Sequence, residues 1–191
     1  MEKCGKSSSL LGRIHLDKEE YGEAIEQFKQ AAEICPLNLD KKVALAEAYL
    51  KAECTSEAEE VIDIIMKSHS TGMILTDIGK LYLENGDIEK ASHYLEKDVQ
   101  PTPETVHIFN NYAISLRRNG RFKESENIYI RCLKTMTDSY VIHFNLGMLY
   151  TQMKDHSRAK KAFEKAVELN PSHRLSKTLL DSIRSAMATK M

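Results

Sequence analysis

The sequence predicts an all-α fold, a tandem array of short helix–turn–helix units. Three observations predict it. A small residue following an apolar one recurs at Leu11-Gly12, Leu45-Ala46, Ile78-Gly79, Tyr112-Ala113 and Leu146-Gly147, at spacings of 34, 33, 34 and 34 residues. Apolar residues between these marks recur at i, i+3, i+4 and i+7, the signature of an amphipathic helix. Gly (8) and Pro (4) are too few in 191 residues for a turn-dense all-β fold.

Each element follows from these columns. The first pair, expected at 7–17 and 21–34, carries Gly12 and His15 on one helix and Ala24 and Phe28 on the other, and closes at Pro36. The second, 40–52 and 56–68, carries Ala46, Tyr49, Ala58 and Ile62, with Ser70 where a closing Pro would stand. The third, 73–85 and 88–98, carries Gly79, Tyr82, Ala91 and Leu95, turns at Gly86 and closes at Pro103. The fourth, 104–119 and 122–135, carries Ala113, Leu116, Ser125 and Tyr129, turns at Gly120 and closes at Thr137. The fifth, 139–152 and 156–169, carries Gly147, Tyr150, Ala159 and Phe163 and closes at Pro171. Gly at the turns makes positive φ cheap, and Pro stops a helix from continuing. Gly12, Gly79 and Gly147 are expected to let helices approach, with Ala24, Ala91 and Ala159 as their partners. A last helix, about 172–187, aligns Leu175, Leu179, Leu180 and Ile183, interrupted by Arg174, Lys177, Asp181 and Arg184. A polar-backed terminal helix is how an array covers its last core. No comparable cap precedes the first unit. Either that unit caps itself or the chain is cut from a longer protein.

These columns resemble the tetratricopeptide repeat, W-x2-L-G-x2-Y…A-x3-F…P at a period of 34 residues. The fifth unit, HFNLGMLYTQMKDHSRAKKAFEKAVELNP, is close to that pattern, and the second is the weakest match. Trp is absent, and its column holds Ser8, Lys42, Leu75, Phe109 and His143. The resemblance implies a right-handed α-solenoid and a single domain over 1–191. Its repeats fall at about 5–38, 39–71, 72–105, 106–139 and 140–173, followed by a capping helix at 174–191.

Composition excludes other classes. No apolar run is long enough for a membrane span or a signal peptide, so a soluble, cytoplasmic protein is expected. Cys4, Cys35, Cys54 and Cys132 form no CxxC pair and no zinc-ligand spacing, and read as small hydrophobes. Neither they nor the seven histidines, among them His69, imply a metal. No phosphate loop, dinucleotide fingerprint, nucleophile elbow or HExxH stands in the chain, so neither a cofactor nor an enzyme is expected. Residues 1–105 hold 12 Lys and Arg against 21 Asp and Glu, a balance of −9, whereas 106–191 hold 15 against 7, or +8. Such polarity suits solvated helix faces, steering of an acidic ligand, or head-to-tail self-association. The basic cluster Lys154, Arg158, Lys160, Lys161 and Lys165 lacks interleaved stacking aromatics, so nucleic acid is not expected.

The resemblance places the first helices of the repeats along a concave groove that binds protein or peptide. One groove column reads Leu10, Ala44, Asp77, Asn111 and Asn145. An Asn there offers donor and acceptor to a peptide unit. Neighbouring columns complete the expected peptide groove, chiefly of repeats three to five: Lys80, His107, Asn110, Asn111, Arg117, Arg118, Phe144, Asn145 and Met148. Amides would read backbone, Phe144 and Met148 would be exposed anchors, and arginines would pair with carboxylates. The carboxylate clamp of chaperone-binding arrays is broken, because Thr76 and Val141 stand where it needs Lys. Two other roles remain open: a self-associating scaffold, and the repeat portion of a larger bacterial signalling protein.

Overall fold

A computed structural model describes residues 2–68, 71–96 and 99–188, with side chains from Lys6 onward. Cys4, His69 and Ser70, singled out above, therefore lie outside the described side chains.

Eleven helices and no strand occur among the described residues. They are α1 (Glu2–Asp17), α2 (Tyr21–Ile34), α3 (Leu39–Lys51), α4 (Thr55–Lys67), α5 (Gly72–Glu84), α6 (Ile88–Leu95), α7 (Val106–Arg118), α8 (Phe122–Thr135), α9 (Tyr140–Gln152), α10 (His156–Leu169) and α11 (Arg174–Ala188). Most ends fall within a residue or two of the expected ones. Helix α1 starts earlier than expected, and α6 is capped at Glu96. The chain divides into two compact units, Met1–Val99 and Gln100–Met191, and the division falls within the third repeat expected over 72–105.

The turn inside each pair is the same in all five repeats. Its left-handed residue is Glu19, Glu53, Gly86, Gly120 or Lys154, with φ of 61°, 60°, 81°, 75° and 60°. The next N–H reaches back five residues: Glu20 to His15, Cys54 to Tyr49, Asp87 to Tyr82, Arg121 to Leu116, Asp155 to Tyr150. This closes orphan carbonyls at the end of the first helix, as a Schellman turn does. Only two turns use the residue that suits positive φ without strain. The residue after each turn also starts the second helix. Asp87 and Asp155 cap α6 and α10 by accepting from Lys90 N and Arg158 N, at 3.0 and 2.9 Å. Glu20, Cys54 and Arg121 provide no side-chain cap.

The core lies between paired helices and is built by two columns. Ala24, Ala58, Ala91, Ser125 and Ala159 are fully buried, as are Phe28, Ile62, Leu95, Tyr129 and Phe163. Ser125 is tolerated in an alanine column because its hydroxyl donates to the Ala113 carbonyl at 2.8 Å. One expectation changes here. What a Cβ at these glycines would meet first is the bulky residue four positions beyond the alanine column. A Cβ on Gly12 would meet Phe28 at 2.8 Å, on Gly79 would meet Leu95 at 2.5 Å, and on Gly147 would meet Phe163 at 2.5 Å. Each glycine is the hollow that seats a large side chain. Burying one such side chain stabilises by about 1.5–3 kcal/mol.

Candidate functional site: the first-helix faces

In the unit Met1–Val99 the first helices α1, α3 and α5 line a concave cavity of about 250 Å³. Its walls carry Arg13, Asp40, Glu47, Asp77 and Lys80, and its apolar lining is Val43, Ala44 and Leu81. Arg13 is held by Glu47 across α1 and α3, Nη1 to Oε2, at 2.7 Å. Lys80 stands 3.6 Å from Glu84 on its own helix. Burial raises the Asp77 carboxyl above the usual range; Lys80 opposes the shift and the nearby Asp40 adds to it. Lys80 lines this cavity from α5, the first helix of its pair.

In the unit Gln100–Met191 the corresponding helices are α7 and α9. His107, Asn111 and Arg118 are exposed on α7 and recur at helical spacing, so they share a face. Asn110 is half-buried, and its Oδ1 accepts from Asn145 Nδ2 at 2.9 Å. Asn145 itself is buried. Its amide is already committed to its neighbour, whereas the Asn111 amide faces solvent. Identical residues in one column therefore do different work.

Three expected residues take other places. Arg117 is not beside Arg118 on the open face. Successive helical residues point about 100° apart, and Arg117 stands next to Tyr129 of α8 with its Nε buried. Burial lifts the Tyr129 phenol to about 12, outweighing the guanidinium, which pulls it down. Phe144 and Met148 are not open anchors. Both pack against the cluster of Ala159, Phe163, Leu180 and Ile183. Phe144 lies 5.9 Å from the Phe163 ring and 5.1 Å, edge to face, from His173, which also meets Tyr140 at 5.3 Å. Helix α10 supplies Ala159 and Phe163 to this cluster, α11 supplies Leu180 and Ile183, and the turn between them supplies His173, so Phe144 and Met148 are both partly buried. Register alone could not reveal this, because the partners of Phe144 and Met148 lie on other helices.

The basic cluster on α10 is largely engaged. Arg158 pairs with Asp155 at 2.6 Å and Glu126 at 2.7 Å and lies 4.3 Å over the Tyr150 ring. Lys160 faces Glu164 at 3.9 Å and Lys165 faces Glu168 at 2.6 Å. Tyr150 donates to Glu126 at 2.8 Å, and burial with that contact raises its phenol to about 12. Among the described residues no group of three or more His, Cys, Asp and Glu could hold a metal ion. No described helix is long and apolar enough to cross a membrane.

A family model described as Tetratricopeptide repeat matches residues 140–173, and another of the same description matches 6–36 and 74–97. The chain is a tetratricopeptide repeat protein. The human Protein O-mannosyl-transferase TMTC2 is 31% identical over 101 residues, covering 51% of this chain and 12% of that protein. The first three curated relatives are spanned over only 11% to 16% of their length. A structure titled for functional characterisation of Pseudomonas aeruginosa pilF superposes with TM-score 0.66 at 16% identity, over 99% of this chain and 86% of that one. YrrB, titled a TPR protein with an unusual peptide-binding site, superposes with TM-score 0.61 at 15% identity, over 87% of each chain. At such identities these structures show the fold alone. Tetratricopeptide repeat arrays generally mediate protein–protein interactions, and the fold is typically a non-enzymatic one.

Proposed function

We propose that this repeat array is a non-enzymatic adaptor that holds a peptide segment of a partner protein on its first-helix faces. The observation that carries the reading is the α7 face. Asn111 presents an unengaged amide, flanked along one stripe by His107 and Arg118, and the Asn110–Asn145 pair beside it is fixed by its own hydrogen bond. An Asn amide can pair with both groups of a peptide unit, and Arg118 can pair with a carboxylate. The peptide-binding site named for YrrB agrees with this use of the fold. Mannosyl transfer is the named activity of a relative that this chain matches over 12% of its length. No catalytic constellation on the described faces supports carrying it over.

The test is capture of partners from lysate of the source cells by wild-type chain, by Asn111→Ala with Arg118→Ala, and by Lys123→Ala on the exposed side of α8. A partner kept by wild type and Lys123→Ala but lost by the double variant supports the adaptor. A partner kept equally by all three moves recognition off this face.

A second reading, assembly through copies of the chain, is favoured by α1. Leu11 is 44% exposed, whereas Leu45, Ile78, Tyr112 and Leu146 in the same column are 7% or less. A sedimentation mass equal to one chain at high protein concentration would remove that reading.

A further inference from the structure

The cavity of the first unit allows the chemistry of a ligand to be named. Arg13 is consumed by Glu47, and Lys80 is drawn toward Glu84. Asp40, in the first turn of α3, and Asp77, on α5, remain without an ion pair. They share a cavity whose other wall is hydrocarbon from Val43, Ala44 and Leu81. The two carboxylates repel one another, and Lys80 in the same lining offsets that repulsion only in part. The volume, about 250 Å³, falls below the roughly 300–1,000 Å³ of small-molecule sites. It suits one long side chain rather than a cofactor.

We propose that this cavity is a specificity pocket for an arginine side chain in an extended segment of a partner protein. The aliphatic stem would lie along Val43, Ala44 and Leu81, and the guanidinium would reach Asp40 and Asp77. Arginine fits better than lysine, because its planar fork has five donors and can serve two carboxylates at once, and it is more weakly hydrated. The raised carboxyl of Asp77 agrees with a partly desolvated acid whose burial Lys80 offsets only in part. The pocket rests on the peptide-binding reading and gives it a ligand class on the first unit.

The experiment is amide NMR titration of the full chain with an acetylated, amidated heptapeptide, Gly-Ala-Ser-Arg-Ser-Ala-Gly. Its twin carries citrulline, the neutral isostere of arginine, and free argininamide is the third probe. The expected result is a shift of the Val43, Asp77 and Leu81 amides with the arginine peptide only. Its affinity should fall about tenfold in Asp77→Asn and in Asp40→Asn. Asp40→Asn is a change at an exposed site, which guards against misreading a folding defect in Asp77→Asn. Equal shifts with the citrulline peptide overturn the proposal, as do unchanged affinities in both variants or no shift at all. Argininamide binding as tightly as the heptapeptide overturns the peptide source. The two readings fail separately. Loss of a captured partner in Asn111→Ala with Arg118→Ala keeps the adaptor even if this pocket binds nothing. Arginine-peptide binding keeps the pocket even if the α7 face proves inert.

Discussion

At Gly147 a single hydrogen decides the packing of a helix pair. Phe163 occupies the space where a Cβ would be, 2.5 Å from its Cε1. Gly147→Ala would gain about 1 kcal/mol of helix propensity. It would lose about 1–3 kcal/mol to overpacking against a buried ring. Net destabilisation is expected, read as a lower urea midpoint. Gly22→Ala, with nothing within 4 Å, should instead raise stability by about 0.4–1 kcal/mol. A raised midpoint in both variants would contradict the packing. Buried phenols make a second residue-scale prediction. Tyr129 and Tyr150 hold their protons to about 12 in the folded chain, against an ordinary 10.0, and burial lifts the Cys132 thiol from 9.0 to about 12. The folded state therefore binds these protons more tightly than the unfolded one. Their contribution is complete below about pH 9 and is lost as pH rises through about 12. Urea midpoints should fall progressively from pH 9 to 11.5. Tyr129→Phe, which removes a hydroxyl with no hydrogen-bond partner, should flatten that fall. A pH-independent midpoint would refute the buried assignments.

Among the elements, α11 closes the hydrophobic cluster at the end of the second unit. It is the terminal helix that the sequence anticipates, but it does more than shield a core edge. Leu180 and Ile183 join Phe144 and Met148 in one cluster, which turns two candidate anchors into packing residues. Replacing Leu180 and Ile183 by Ala should cost about 2–5 kcal/mol per site in local stability. Hydrogen exchange should show α11 losing protection first, with α10, the helix it packs against, while α7 and α8 keep theirs. Loss of protection throughout α7–α8 at the same rate would mean that α11 is integral to the unit rather than a cover. The turns show what is legible at this scale. Gly86 and Gly120 announce their positive φ in the sequence, whereas Glu19, Glu53 and Lys154 adopt it only because the repeat geometry requires it. Residue type alone gives no signal at those three places.

For the whole molecule, stability is set within each unit and between nearest helices. Ala91 is fully buried in the column that meets the first helix. Ala91→Arg would bury an unpaired charge, a change that ordinarily exceeds about 3 kcal/mol. It should melt α5 and α6 and weaken α3 and α4 within Met1–Val99. Lys160→Ala, on the surface, should cost about 0.5 kcal/mol or less. Indistinguishable thermal midpoints for the two variants would contradict nearest-neighbour packing. The overall charge of −1 hides a polar distribution, −9 over residues 1–105 and +8 over 106–191. The acidic cavity lies in the first stretch and the Asn111–Arg118 stripe in the second. The two faces therefore offer different chemistry to partners.

The sequence by itself determined the helices, their pairing and the core columns. A period of 34 residues repeats the same local contacts, and helical periodicity says which face each residue takes. It also placed Lys80, His107, Asn111 and Arg118 on first-helix faces, because those positions follow from register alone. Only the tertiary structure decided which of them are available. Asn145 is tied to Asn110, Arg117 turns to Tyr129, and Phe144 and Met148 pack against the cluster of α10 and α11. Each outcome depends on a residue in another helix, and a column in an alignment carries no information about what that neighbour will cover. The pairing of Asp40 with Asp77 was invisible for the same reason. They sit 37 positions apart on different helices, and only packing α3 against α5 brings these two carboxylates to one cavity.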